Sequence, residues 1–201
     1  MSTLSEEIAA GAARLVVEHG LEYGPAKRKV ARELGRRGGG RGELPSNEQI
    51  EDEVRAHLAL FCAQTQPAEL RLLRELALRW MERLAAYRPH LAGAVWRGTA
   101  TRASAVHLDL YCDDPKGAEL ALLDMGLKYE HDAIDGNGDE PVSVLTVVAR
   151  APALGGNVLV HLALRDRDEQ RGALRGDARG QPWRGDLQAL RRLLAAGDAP
   201  Q

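Results

Sequence analysis

Over roughly the first ninety positions, apolar residues recur three and four apart, the spacing that puts side chains on one face of a helix. Ser46 and Gln49 have capping-box spacing, and Pro25 and Pro67 suit first helical turns. We therefore predict four helices, of which the second is short and basic and the last ends at Pro89. The apolar stripes are Ile8, Ala12, Leu15 and Val16; Ile50, Val54, Leu58 and Phe61; and Leu73, Leu76, Trp80, Leu84 and Tyr87.

The period changes after His90, where short apolar or alternating runs are separated by clusters of Gly, Asp and Pro. Such runs are typical of strands. Two glycines and an Asn in residues 135–139 suit a hairpin turn between the third and fourth runs. The predicted fold class is α+β, with an N-terminal helical region followed by a small mixed β-sheet and flanking helices. The predicted strands are 91–96, 105–111, 127–134, 142–148 and 158–164, and the predicted helices are 115–125 and 186–196.

Residues 35–45 contain five glycines and three arginines, a composition too flexible and too charged to pack. We predict a mobile loop there. It separates a first domain, residues 1–45, from a second, residues 46–201, which begins with a helical hairpin and ends with a helix.

Composition places the chain among ordinary globular proteins, with 44% apolar and 28% charged residues. Cys62 and Cys112 have no zinc-site spacing, so we predict reduced thiols. No export signal begins the sequence, and no run approaches the roughly 20 apolar residues of a membrane span. We predict a cytoplasmic protein without a membrane partner.

The net charge of −2 hides a basic segment over residues 24–37. This segment resembles the second half of a helix-turn-helix, and its cations would neutralise nucleic-acid phosphates. The alternative is a solvated basic face on an exposed helix. The nucleic-acid candidates are Lys27, Arg28, Lys29 and Arg32.

Residues 93–108 read GAVWRGTATRASAVHL. They resemble the signature of the nucleotidyltransferase superfamily, the DNA polymerase β-like fold: Gly-Ser, two residues, Arg-Gly, a short variable loop, then Ser-Asp-x-Asp-Leu. The order of elements over residues 67–165 also agrees. The resemblance implies a nucleotidyltransferase-like fold and a turn that binds a phosphate or nucleotide. The implied binding residues are Gly93, Arg97, Gly98, Thr99 and Ser104.

Nucleotidyl transfer needs magnesium, which takes carboxylate oxygens, and the family supplies three acids from two strands. Here the first two acid positions hold Ala105 and His107, and the best match for the third is Ser143. Alanine offers no ligand, and imidazole prefers softer ions. The resemblance therefore implies a degenerate member that binds a nucleotide or RNA, without magnesium, another metal or a cofactor.

Two other functions stay open. An active transferase with a relocated magnesium site would use His107 and Asp109, with Glu130, Asp132 or Glu140 nearby, although Asp109 is displaced by about 7 Å along its strand. A nucleic-acid-binding regulator would act through the basic helix.

Purely structural interpretations also remain open for some of these residues. The glycines of the turn would serve only its backbone geometry. His107 and His161 would be hydrogen-bonded core residues, because a lone histidine in an apolar strand is more often that than a ligand. A UDP-N-acetylmuramate alanine ligase is disfavoured, since the chain contains neither Gly-Lys-Thr nor Gly-Lys-Ser and is too short for three domains.

Overall fold

The computed structural model describes residues 3–34, 44–134, 141–172 and 175–197. Contacts between residues divide the chain into two compact units. The helical unit comprises Met1–Leu70 and Gly98–Ser104, and the sheet unit comprises Arg71–Arg97 and Ala105–Gln201. The domain boundary at residue 45 stays a prediction. The loop of residues 35–43 and the turn of residues 135–139 lie outside the described residues.

Three helices make up most of the helical unit: α1 (Thr3–His19), α2 (Tyr23–Glu33) and α3 (Asn47–Phe61). The hydroxyl of Ser46 accepts a hydrogen bond from the Gln49 amide, and the Gln49 side chain accepts one from the Ser46 amide. The predicted capping box is thus confirmed.

Two details of the predicted helices are wrong. Phe61 is 72% exposed rather than buried, because it is the last residue of α3 and lies beyond the packed stripe. The fourth helix, α4 (Gln66–Arg83), stops before Pro89 and is followed by a 3-10 helix that contains Tyr87. The Tyr87 hydroxyl donates a hydrogen bond to the Gly117 carbonyl instead of extending the α4 stripe.

The sheet unit contains six strands in the order β3-β4-β5-β2-β1-β6. The pairing of β2 with β5 is parallel and the other four are antiparallel, so the sheet is mixed and the predicted α+β class is confirmed. The elements after α4 are β1 (Pro89–Ala92), α5 (Gly93–Arg97), β2 (Val106–Cys112), α6 (Pro115–Asp124), β3 (Tyr129–Ile134), β4 (Val142–Ala151), β5 (Gly156–Asp166), β6 (Arg184–Asp186) and α7 (Leu187–Ala195).

The predicted first strand is too long, because β1 ends at Ala92 and the chain turns into α5 at Gly93, whose φ is +66°. The short strand β6 is missing from the prediction. Its central residue is a glycine, Gly185, because a Cβ there would overlap the Trp96 ring. Strand propensity is therefore low at the point where β6 pairs with β1.

Alternation along β2 gives the sheet two different faces. Leu108 and Leu110 are buried on one face, together with Leu162 of β5 and Leu145 of β4. The buried stripe of α4 adds Leu73, Leu76 and Trp80 to the apolar interior of the chain, and Leu84, directly after the helix, is also buried. The other face of β2 carries His107 and Asp109.

Cys62 and Cys112 are free thiols, as predicted. No helix among the described residues is both long enough and apolar enough to cross a membrane.

Candidate functional site: a polar face of the sheet

Residues that face each other across neighbouring strands share one face of a sheet. On β2 and β5, His107 is opposite His161 and Tyr111 is opposite Arg165. Ala92 of β1 is opposite His107 of β2 on one side and opposite Arg184 of β6 on the other. We use the name polar sheet face for the set His107, Asp109, Thr146, His161, Arg165 and Arg184.

Asp109 is the centre of this face. Its Oδ1 accepts a hydrogen bond from Nε of Arg165 at 2.9 Å, and its Oδ2 accepts one from Nε of Arg184. The Asp109 side chain is 7% exposed, whereas the Arg165 and Arg184 side chains are 12% and 26% exposed. Both carboxylate oxygens are therefore engaged by guanidinium groups.

The charges of this cluster change the proton affinities of its members. Burial acts to lower the pKa of Arg165, but the charge and hydrogen bond of Asp109 outweigh it and raise the pKa overall, with help from Glu169. Nη1 of Arg165 lies 3.3 Å from a carboxylate oxygen of Glu169. Burial, followed by the Asp109 charge, raises the pKa of Tyr111 to about 12. Tyr111 thus stays neutral beside the ion pairs at neutral pH.

Two imidazoles lie next to the ion-pair cluster. The rings of His107 and His161 have centroids 4.8 Å apart and an interplanar angle of 35°. Nδ1 of His161 is 2.9 Å from the Thr146 hydroxyl. Both rings are half-buried, and Val148 and Leu159 beside them are exposed. The face therefore combines cations, imidazoles and apolar surface.

Ser143 is not part of this site. The prediction that the strand containing Ser143 lies next to β2 is wrong. β5 lies between β2 and β4, because β5 and not the β3-β4 hairpin pairs with β2. Ser143 is opposite Leu164, which is opposite Leu110, so Ser143 lies on the other face of the sheet. Its hydroxyl is instead 2.7 Å from Nε2 of His131.

The acids considered for a relocated metal site are also distant from β2. Glu130 and Asp132 lie on β3, where they pair with Thr146 and Val144 of β4. In the sheet β3 is three strands from β2, a distance of about 14 Å at the usual strand spacing. Glu140 lies outside the described residues. Within the described residues, no group of three or more His, Cys, Asp or Glu side chains could hold a metal ion.

Arg97 of the predicted phosphate turn is held by the chain itself. Its Nη2 donates to Oδ2 of Asp177 at 2.8 Å, and its guanidinium lies 4.4 Å from the centre of the Trp183 ring. Desolvation acts to raise the pKa of Asp177, but backbone hydrogen bonds from Gln181 and Arg179, together with Arg97, lower it overall. These contacts give Arg97 a structural role within the sheet unit.

The rest of the predicted turn belongs to the helical unit. The Thr99 hydroxyl is 3.0 Å from the Tyr23 hydroxyl, and the Ser104 hydroxyl accepts a hydrogen bond from the Thr101 amide at 3.1 Å. Thr99 and Ser104 are 1% and 6% exposed. Gly98, like Gly93, has a positive φ, which is the conformation that favours glycine. The buried hydroxyls thus make contacts inside the protein.

The basic helix, α2, is only partly exposed. Nζ of Lys27 donates to the Pro45 carbonyl at 3.1 Å and to Oδ1 of Asn47 at 3.0 Å. Burial, followed by the charge of Arg28, lowers the pKa of Lys27 against an opposing effect of Glu48. The other three candidates, Arg28, Lys29 and Arg32, are exposed.

Sequence reasoning missed Arg165, Arg184 and Thr146 as members of the site. Arg165 follows His161 by four residues on an alternating strand, so strand periodicity alone places both on one face. Arg184 carries no such signal, because it begins a strand of three residues.

No family model matches this chain, and no curated protein matches it.

Proposed function

We propose that this chain is a nucleotidyltransferase-like protein that has lost magnesium-dependent transfer and binds phosphate groups of a nucleotide or RNA on the polar sheet face. The observation that carries the proposal is the double ion pair of Asp109 with Arg165 and Arg184. The two guanidiniums take one lone pair on each carboxylate oxygen, and their positive charges oppose the approach of magnesium to Asp109.

The neighbouring strand supports the loss of transfer. On the face that β5 shares with His107, the residues are Asn157, Leu159, His161, Ala163 and Arg165. None of these is an acid, so β5 does not supply the carboxylate that a metal pair would share with β2.

The same cations support phosphate binding. Asp109, Arg165 and Arg184 together carry one positive charge, which Glu169, paired with Arg165 and 45% exposed, offsets in part. Arg184 keeps a quarter of its side chain accessible, and a guanidinium suits the oxygens of a phosphate.

Titration calorimetry with each nucleoside triphosphate, in magnesium and in EDTA, tests this proposal. We expect binding that persists in EDTA, weakens in Arg184→Gln and is accompanied by no pyrophosphate release. Arg14→Gln, which removes an equal charge at an exposed position of α1 in the helical unit, is the matched control. Binding that requires magnesium and releases pyrophosphate would show an active transferase. Pyrophosphate release that disappears in Asp109→Ala would assign it to the relocated site.

A second candidate function is nucleic-acid binding through α2, favoured by the exposure of Arg28, Lys29 and Arg32. Binding of this kind releases counterions and so weakens as salt rises. The triple replacement of these residues by Gln should reduce both the affinity for RNA and its salt dependence. If affinity for RNA does not change with salt, or survives the replacement, α2 is only a solvated basic face.

A further inference from the structure

A cavity of about 380 Å³ lies in the sheet unit beside β1 and the start of α7. Arg88, His90 and Gln170 line it, as do Asp186 and Gln188. This volume is at the lower end of the range of about 300–1,000 Å³ for small-molecule sites. The set that defines the polar sheet face includes none of these five, but His90 is opposite both Asp109 and Asp186, so the cavity borders that face.

Arg88 adopts a backbone conformation that is energetically costly for a residue with a Cβ atom. Its φ and ψ are 46° and 59°, in the left-handed region, and it is the only non-glycine residue with a positive φ among those described. Left-handed backbone disfavours residues that carry a Cβ, and the proline at position 89 restricts the preceding residue further. Glycine or asparagine would fit this position more easily.

The backbone of Arg88 does not itself require an arginine. Its carbonyl accepts a hydrogen bond from Nδ1 of His90 at 2.9 Å, which any residue at position 88 would supply. Because a carbonyl oxygen only accepts, Nδ1 is the donor of this hydrogen bond. His90 is 4% exposed and packs edge-on against Tyr111 with ring centroids 5.0 Å apart. It is thus a fixed, buried imidazole in the wall of the cavity.

The remaining lining residues define the chemistry of a ligand. The amides of Gln170 and Gln188 both donate and accept hydrogen bonds. Oδ1 of Asp186 accepts a hydrogen bond from the Ala189 amide at 2.7 Å, so this acid serves as the cap of α7. Arg88 supplies the one guanidinium among the described residues that line the cavity. Its guanidinium suits an oxyanion, and the amides and His90 suit hydroxyl groups.

We propose that this cavity binds a small polyhydroxylated organic anion, with its phosphate or carboxylate group on Arg88 and its hydroxyl groups on Gln170, Gln188 and His90. The probes that test it are ribose 5-phosphate, gluconate and uncharged ribose, titrated into the full chain by calorimetry. We expect binding of ribose 5-phosphate or gluconate and none of ribose. Whichever anion binds identifies the oxyanion as phosphate or carboxylate.

Arg88→Gly is the decisive variant, because glycine keeps the left-handed backbone without strain. It should melt at the same temperature as the natural protein or higher, and bind the anion about tenfold more weakly or worse. Arg88→Asn gives a second variant compatible with this backbone. Arg150→Gln, on an exposed position far along β4, should bind as the natural protein does. Failure of both anions to bind, or full affinity in Arg88→Gly, would overturn the proposal.

Discussion

At the scale of single residues, Asp109 decides the character of the polar sheet face. A lone acid on a strand is open to two interpretations, as a metal ligand or as an ion-pair partner. Its partners come from positions 56 and 75 residues further along the chain, so no local pattern reveals them. The ion-pair geometry is what separates the two interpretations.

Removing the Asp109 charge should destabilise the fold. Asp109→Asn leaves the Arg165 and Arg184 guanidiniums with like charges and no carboxylate between them. Breaking a buried pair costs about 3–5 kcal/mol, and we expect about 3 kcal/mol here because Arg184 is partly exposed. Urea denaturation measures the change. Glu130→Gln, on the exposed strand β3, should change stability by less than about 0.5 kcal/mol.

An Asp109→Asn variant as stable as the natural protein would show that the ion pairs contribute nothing. That result would also reopen the possibility of a carboxylate available to a metal.

Tyr111 should make stability fall at high pH. Burial and the Asp109 charge raise its pKa to about 12 in the folded protein, whereas an unfolded tyrosine titrates near pH 10. The unfolded state therefore loses the proton first, so the stabilising contribution is complete below pH 10 and is lost between about pH 10 and pH 12. Tyr111→Phe should show a shallower decline of the unfolding free energy over that window.

Tyr23, whose pKa burial also raises, should retain part of the decline in the Tyr111→Phe variant. Parallel pH curves for the two proteins would contradict the assignment to Tyr111.

At the scale of elements, the short strand β6 and the short helix α5 depend on close packing between distant residues more than on local propensity. The strand β6 and the helix α5 meet where the Trp96 ring covers Gly185, and Nε1 of Trp96 donates to the Pro182 carbonyl at 2.8 Å. Such contacts join residues nearly ninety positions apart. They explain why periodicity found the longer strands and missed β6 and α5.

Gly185→Ala tests that close approach. The added methyl group would overlap the Trp96 ring, so the ring or the strand must move. Overpacking of this kind costs about 1–3 kcal/mol, which thermal unfolding would register. Gly156→Ala is the matched control, because a Cβ there meets no atom within 4 Å. Equal melting temperatures for the two variants would contradict the packing described for β6.

Elements with their own local signals were predictable. The capping box of Ser46 and Gln49 and the alternation of β2, β4 and β5 are visible in the sequence and present in the structure. Strand order is not visible in this way, because alternation identifies a strand without naming its neighbour. The sequence therefore does not show that β5 lies between β2 and β4. Because of that strand order, Ser143 lies away from the site.

At the scale of the whole molecule, the chain joins a helical unit to a unit with a mixed six-stranded sheet. The motif of residues 93–108 is divided between them, since Gly93 and Arg97 belong to the sheet unit and Thr99 and Ser104 to the helical unit. Each of these side chains with a polar group has a partner within its own unit. The proposed function accordingly moves from the turn to the polar sheet face.

Diffraction from a crystal soaked in manganese, measured for anomalous signal, tests most directly whether guanidiniums have replaced metal at Asp109. We predict Asp109 still hydrogen-bonded to Arg165 and Arg184, with no anomalous peak within coordination distance of its oxygens. Paired peaks bound by Asp109, with the two arginines displaced, would contradict the proposed loss of metal-dependent transfer.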